Sequence, residues 1–136
     1  MMRRRRNSKS ALRDDGGGSA VEFALIAPIF ILTLVGLTEV GFAIHAHATL
    51  TQIAEGGARH LLFAPEDRSG ATTQIFADTK GTTITAEDLT VALTEKTAPY
   101  HHLEVTLSYI FRPVGPFSLP SGIPMVARAS VPLGGT

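Results

Sequence analysis

The feature that most constrains this chain is an uncharged apolar run near its N-terminus. Residues 23–38 read FALIAPIFILTLVGLT, and Glu39 is the only charged residue between Phe23 and Leu50. A helix over residues 18–39 would be about 31 Å long, which matches a hydrocarbon core of about 30 Å. The run is apolar on every face, and a chain of 136 residues is too short to enclose such a helix in its own core. We therefore expect one transmembrane helix.

Basic residues are concentrated before this run. Six of the twelve Lys and Arg residues lie in the first thirteen positions, whereas the chain from Asp14 on holds six basic and all twelve acidic residues. The positive-inside rule then places the N-terminus in the cytoplasm and the rest of the chain in the periplasm. An acidic folded part argues against nucleic-acid binding. We expect a single-pass inner-membrane protein with a basic cytoplasmic leader (1–17), a transmembrane and extended helix (18–63) and a small outer domain (64–136).

A cleaved secretory signal is the competing interpretation. Ala46-His47-Ala48 resembles a small-x-small cleavage site. The apolar stretch is longer than the usual signal-peptide core of about 7–15 residues, and Glu39 interrupts its end. Two alternatives to a processed membrane protein stay open: a secreted binding domain released after Ala48, and an uncleaved anchor that carries an ordinary periplasmic module.

The sequence predicts that the helix continues outside the membrane to about Phe63, before Pro65. Apolar and small residues recur there at spacings of three and four, namely Leu50, Ile53, Ala54, Gly57, Ala58 and Leu61. Each glycine of the Gly56-Gly57 pair costs about 1 kcal/mol in helix propensity relative to alanine. We therefore expect either a break or close packing at this pair.

The remaining sequence predicts a small sheet. Residues 71–78 are predicted as a short helix with Ser69 as its cap. Residues 113–124 contain four prolines and two glycines, which predicts a loop. Period-2 alternation of apolar residues, the pattern of a strand with one buried face, covers the stretches 89–94, 103–112 and 125–131. The expected fold class is α+β, with a three-stranded antiparallel β-sheet packed on the outer part of the long transmembrane helix.

No catalytic pattern accompanies this fold. The chain has no cysteine, which removes disulfides and thiolate sites. The histidine pairs His45/His47 and His101/His102 are two and one residues apart, whereas a zinc helix motif needs i,i+4 spacing. No phosphate-binding loop, dinucleotide fingerprint or nucleophile elbow is present in the sequence. We therefore expect no enzymatic activity, no cofactor and no metal.

The most informative stretch joins the basic tail to the apolar helix. It reads GGGSAVEF, with glycines at positions 16–18, expected to form a flexible hinge, and the carboxylate of Glu22 at the head of the helix. A glutamate inside the apolar start of a spanning helix is costly unless it has a partner. Two interpretations stay open. Glu22 lies among headgroups, where the helix dipole favours negative charge near the N-terminus, or it pairs with a specific group.

This stretch resembles the processing site of type IV pilins of the Flp/Tad class, in which cleavage follows a glycine and four residues precede a Glu and then a Tyr or Phe. Placing Glu22 and Phe23 at the fifth and sixth mature positions puts the cut between Gly17 and Gly18. The three consecutive glycines leave this cut ambiguous by one residue. Phe23 departs from the tyrosine of the major Flp pilins.

The wider segment, residues 16–62, resembles the TadE/TadG-like family of minor pilins or pseudopilins of the tight-adherence (Tad) pilus. The resemblance covers about a third of the chain and rests on AVEFA at 20–24, Pro28, Glu39-Val40-Gly41 and Gly57-Ala58-Arg59. It implies a subunit that takes part in assembly or priming of the pilus, and hence in adhesion and surface attachment. The implied partners are other pilin subunits, a prepilin peptidase, the Tad inner-membrane assembly platform and membrane lipid.

The resemblance also implies roles for single residues. A prepilin peptidase would remove the basic leader, after which Glu22 would pair with the new α-amino group, often on a neighbouring subunit. Pro28 removes one helical hydrogen bond and predicts a kink, which is either harmless or helps the helix to melt locally in a filament. Glu39 is expected near the outer interface, where it either reaches headgroups and water or contacts a partner subunit.

Overall fold

The computed structural model describes residues 15–115 and 120–133, so residues 1–14 of the predicted leader lie outside the described part. The chain divides after Leu37 into two compact units. The elements in chain order are α1 (Asp15–Phe63), α2 (Arg68–Asp78), a short 3-10 helix (Ala86–Asp88), β1 (Leu89–Lys96), β2 (His102–Phe111) and β3 (Ile123–Pro132). The predicted α+β class, a long apolar helix followed by a three-stranded antiparallel sheet, is confirmed.

Helix α1 begins three residues before the predicted start. Its first residue is Asp15, so the three glycines at 16–18 are helical and do not form the expected hinge. The helix continues through Pro28 and ends at Phe63, as predicted, two residues before Pro65.

The outer half of α1 packs on the rest of the second unit. The predicted stripe is buried there, and Leu50, Ala54 and Leu61 are fully buried in the core cluster. Gly56 and Gly57 do not break the helix, and close packing explains Gly57. A Cβ atom on Gly57 would lie 2.6 Å from Cδ1 of Ile75 in α2. Glycine therefore lets α1 and α2 approach closely.

The cap of α2 differs from the prediction. The helix begins at Arg68 and not at residue 71, and the capping residue is Asp67 and not Ser69. A carboxylate oxygen of Asp67 accepts from the backbone N–H of Gly70 at 2.9 Å and from the hydroxyl of Ser69 at 3.1 Å. Aspartate and serine are about equally good caps, so propensity alone does not choose between two candidates two residues apart.

The sheet has the order β1-β2-β3 with both pairings antiparallel. In the shared register Val105 of β2 lies between Leu93 and Ala129. The inward face of β2 is buried along its length, at Leu103, Val105, Leu107 and Tyr109. The predicted alternation is therefore confirmed, and it places the core between this face and the two helices.

Strand ends reach further than the sequence predicted. β3 starts at Ile123 and includes Pro124 and Pro132, so the predicted loop over residues 113–124 is shorter than expected. Proline is tolerated in β3 because this is an edge strand, where one side of the backbone needs no ladder partner. His102 is the first residue of β2 and is buried.

Ion pairs join the elements around the core. Arg68 at the start of α2 donates to Glu95 in β1 at 2.9 Å, and Arg112 after β2 donates to Asp88 at 3.0 Å. The His101 ring and the Arg68 guanidinium lower the pKa of Glu95, and the Arg112 guanidinium lowers the pKa of Asp88. These pairs are solvent-exposed, so each contributes little to stability at neutral pH.

Candidate assembly site

The apolar side chains of the first unit are uncovered. No side chain from residue 17 to residue 45 is buried within the described chain, and the exposed fraction is 72% for Phe23 and 69% for Leu25. Among the described residues, α1 is the helix that is long and apolar enough to cross a membrane. A continuous apolar surface of this kind needs lipid or another protein to cover it. This segment therefore has to meet a partner or a bilayer.

Gly17 and Gly18, the residues on either side of the predicted cut, lie in the first turn of α1. A Cβ atom placed on either one would meet nothing within 4 Å. Packing therefore does not require glycine at these two positions. Each glycine weakens the helix by about 1 kcal/mol relative to alanine, so this first turn is easily unwound.

Glu22 and Phe23 follow one turn later, and both side chains are exposed. Residues four apart lie on the same face of a helix, so Gly18 and Glu22 are neighbours about 6 Å apart along the axis. Gly17 is five residues before Glu22 and lies about 140° around the helix axis from it, because a helix turns about 100° per residue. A chain that begins at Gly18 thus carries its α-amino group on the face of Glu22.

Pro28 lies inside α1, and the helix continues on both sides of it. Proline has no backbone N–H, so the carbonyl one turn earlier loses its helical donor. The side chain of Thr33 donates to the carbonyl of Ile29 at 2.8 Å in the following turn. This carbonyl is not the one that Pro28 leaves without a donor, so the bond does not compensate for the proline. The predicted kink and its role in a filament stay predictions.

Glu39 has a partner within its own chain. Its carboxylate oxygen Oε1 accepts from the backbone N–H of Gly115, which lies 76 positions later between β2 and β3. The glutamate side chain is half-buried. One carboxylate oxygen is therefore committed to an internal contact, which neither interpretation of Glu39 from the sequence included. A contact with a partner subunit at Glu39 stays a prediction.

Sequence reasoning missed Gly115 and Asp67. No local signal marks Gly115, because its role depends on a contact across most of the chain. Asp67 could have been found from its position just before a polar, glycine-containing first turn. Its carboxylate also contacts the ring of His60 at α1 with an Nε2–Oδ2 distance of 3.0 Å. His60, the Gly70 N–H and the Ser69 hydroxyl together lower the pKa of Asp67.

Within residues 15–115 and 120–133, no group of three His, Cys, Asp or Glu side chains lies close enough to hold a metal ion. His102 contacts the carbonyl of Tyr100 through Nδ1 at 2.8 Å, which accounts for its burial. The arrangement at the head of α1 offers one carboxylate, one prospective amine on the same face and a large apolar surface.

Comparisons with known proteins bear on this same helix. Residues 17–59 match the family described as TadE-like protein. The match starts at the glycines, includes Glu22 and Glu39, and ends in the packed outer half of α1. Comparison with curated proteins and with solved structures gives no match. The segment over residues 17–59 is therefore similar to the TadE-like family, as the resemblance in the sequence predicted.

Proposed function

We propose that this chain is a minor pilin or pseudopilin that takes part in assembly or priming of a Tad-type type IV pilus, and so in adhesion and surface attachment. The observation that carries the proposal is the coincidence of the TadE-like match with the uncovered apolar helix that begins at the glycines and Glu22. The role is structural and not enzymatic. Its partners are other pilin subunits and the Tad inner-membrane platform.

In this proposal the protein is first an inner-membrane protein with its N-terminus in the cytoplasm. α1 is the membrane anchor, in contact with lipid along residues 23–38. A prepilin peptidase cuts between Gly17 and Gly18, where the first helical turn is weak and where, among residues 15–115 and 120–133, nothing lies within 4 Å of a Cβ atom placed on either glycine. Removal of the leader creates a cationic α-amino group at the new end of the helix.

Glu22 then serves to align subunits. The α-amino group of Gly18 and the Glu22 carboxylate lie on one helix face, so the pair can close within a subunit or between neighbours. Both charges would otherwise be buried in lipid or in an apolar filament interior. A buried ion pair that is broken on one side costs about 3–5 kcal/mol. Where the pair closes between neighbours, a subunit in the wrong register leaves both charges unpaired and is therefore rejected.

The test of this proposal removes the carboxylate. Glu22→Ala and Glu22→Leu should insert into the membrane normally and should reduce the number of assembled pili. Glu55→Ala is the matched control, because Glu55 is an exposed glutamate on the same helix outside the apolar run. Membrane insertion is measured by alkaline extraction, and pili are counted by electron microscopy. Normal pilus numbers in both Glu22 variants would contradict the proposal.

An uncleaved membrane-anchored periplasmic module is the second candidate. The observation in its favour is that α1 starts at Asp15 and runs through the predicted cut without a break. Release after Ala48 has less support, since that cut would divide α1 between Ala46 and Leu50, which both belong to the core of the outer unit. The length of the mature chain separates these candidates.

A further inference from the structure

The connection between β2 and β3 is tied to α1 near the end of the apolar run. The backbone N–H of Gly115 in this connection donates to the Glu39 carboxylate at 2.5 Å. Hydrogen bonds to an ionised group are roughly twice as strong as those between neutral groups. The connection is thus held beside the turn of α1 that contains Glu39.

Glu39 marks the level of the membrane surface. The sixteen residues before it carry no charge, and α1 is apolar enough to cross a membrane. A carboxylate at the end of such a run lies among headgroups, because its transfer into hydrocarbon is costly. Gly115, which is bonded to this carboxylate, lies at the same level.

Val114, next to Gly115, is uncovered to an unusual degree. Its side chain is 98% exposed, the highest value among the large apolar residues of the described chain. The described part of the connection, residues 112–115 and 120–122, carries one charged residue, Arg112, and its guanidinium is bonded to Asp88 at 3.0 Å. An apolar side chain held at the membrane surface gains free energy by leaving water for the acyl region.

We propose that residues 113–115, at the start of the β2–β3 connection, rest on the outer surface of the bilayer, with Val114 inserted among lipid and Glu39 holding them in place. Lipid is the occupant because Gly115, the residue next to Val114, is bonded to Glu39, and Glu39 is the residue at which the uncharged apolar run of α1 ends. The outer domain then contacts the membrane through Val114 as well as being joined to it by the helix. This proposal depends on the membrane span and not on a role in the pilus.

The experiment measures the depth of Val114 in a membrane. The chain has no cysteine, so Val114→Cys in the full-length protein can be spin-labelled at a single site and reconstituted in phosphatidylcholine vesicles. Phe63→Cys is the matched control, because Phe63 is 87% exposed and lies 24 residues beyond Glu39 on α1, about 36 Å along the axis. The accessibility of each label to lipid-soluble oxygen and to a water-soluble nickel chelate is then compared.

The proposal expects the Val114 label to be reached by oxygen and shielded from the nickel chelate, with the opposite result at Phe63. Glu39→Ala removes the acceptor and should shift the Val114 label toward water. Glu39→Gln keeps an acceptor oxygen and should retain most of the shielding. A Val114 label as open to the nickel chelate as the Phe63 label would overturn the proposal and leave a protein partner as the occupant. Equal lipid exposure at both sites would overturn it as well, because the label itself would then be responsible.

Discussion

Replacing Gly57 by alanine tests whether close packing, and not a helix break, explains the glycine pair in α1. A Cβ atom at this position would lie 2.6 Å from Cδ1 and 2.7 Å from Cγ1 of Ile75, whose side chain is fully buried. Ile75 cannot move aside without disturbing the core, and overpacking of this kind costs about 1–3 kcal/mol. Alanine also gains about 1 kcal/mol in helix propensity. The expected net effect of Gly57→Ala is a loss of up to about 2 kcal/mol.

The neighbouring residue provides a matched control. A Cβ atom on Gly56 would lie 2.9 Å from Oδ2 of Asp78, the end of a half-buried side chain that can rotate away. Gly56→Ala therefore keeps the propensity gain without the packing cost. Because the propensity gain is common to both variants, the difference between them is the packing cost of about 1–3 kcal/mol. That corresponds to a difference in Tm of at least about 4 °C for a domain of this size.

The assay is thermal unfolding of the full chain in detergent micelles, followed by the near-UV circular dichroism of tyrosine. Both tyrosines, Tyr100 and Tyr109, lie in the outer unit, so the signal reports its tertiary structure. Ile75→Val removes the atom nearest to the added Cβ, so Gly57→Ala should be less harmful in that background. Equal Tm values for the two alanine variants, or strict additivity with Ile75→Val, would refute the packing explanation.

Two further predictions concern the carboxylates of the outer domain. Asp67→Ala removes the cap of α2 and should lower the Tm by about 2–8 °C. Asp67→Asn keeps an acceptor oxygen and should lower the Tm less. Equal losses of Tm in the two variants would argue against capping. The folded-state pKa values of Asp67, Asp88, Glu95 and Glu104 lie below the ordinary values of 3.8 and 4.5. Their contribution is therefore fully present above about pH 5 and is lost as the pH falls through the lowered values, so the Tm should be lower at pH 3 than at pH 6. A Tm that stays constant across this range would contradict the ion-pair geometry.

The parts of the fold that follow a strong periodic pattern could be predicted from the sequence. The apolar stripe of α1 and the alternation in β2 depend on local spacing, and a side chain on the wrong face would expose apolar surface. Element ends were less predictable. The choice between Asp67 and Ser69 as the cap of α2 depends on small energies that neighbouring contacts decide.

The contact between Glu39 and Gly115 could not be predicted, because it depends on how the connection after β2 meets a helix 76 positions earlier. The site at the head of α1 was predictable for a different reason. An ionised carboxylate within the apolar start of a spanning helix costs free energy unless it has a partner, and the sequence alone shows that Glu22 is such a group. In the proposed function its partner is the α-amino group that cleavage would create, and the unprocessed chain does not contain that group.

The central claim, that α1 is an assembly element released from its leader, depends on where the mature protein begins. An intact-mass measurement on the protein isolated from the membranes of cells that assemble pili tests it most directly. The account predicts a chain that begins at Gly18, with the amine one turn before Glu22. A membrane protein that still carries residues 1–17 would contradict cleavage and favour the uncleaved anchor, and a chain that begins at Thr49 would contradict both.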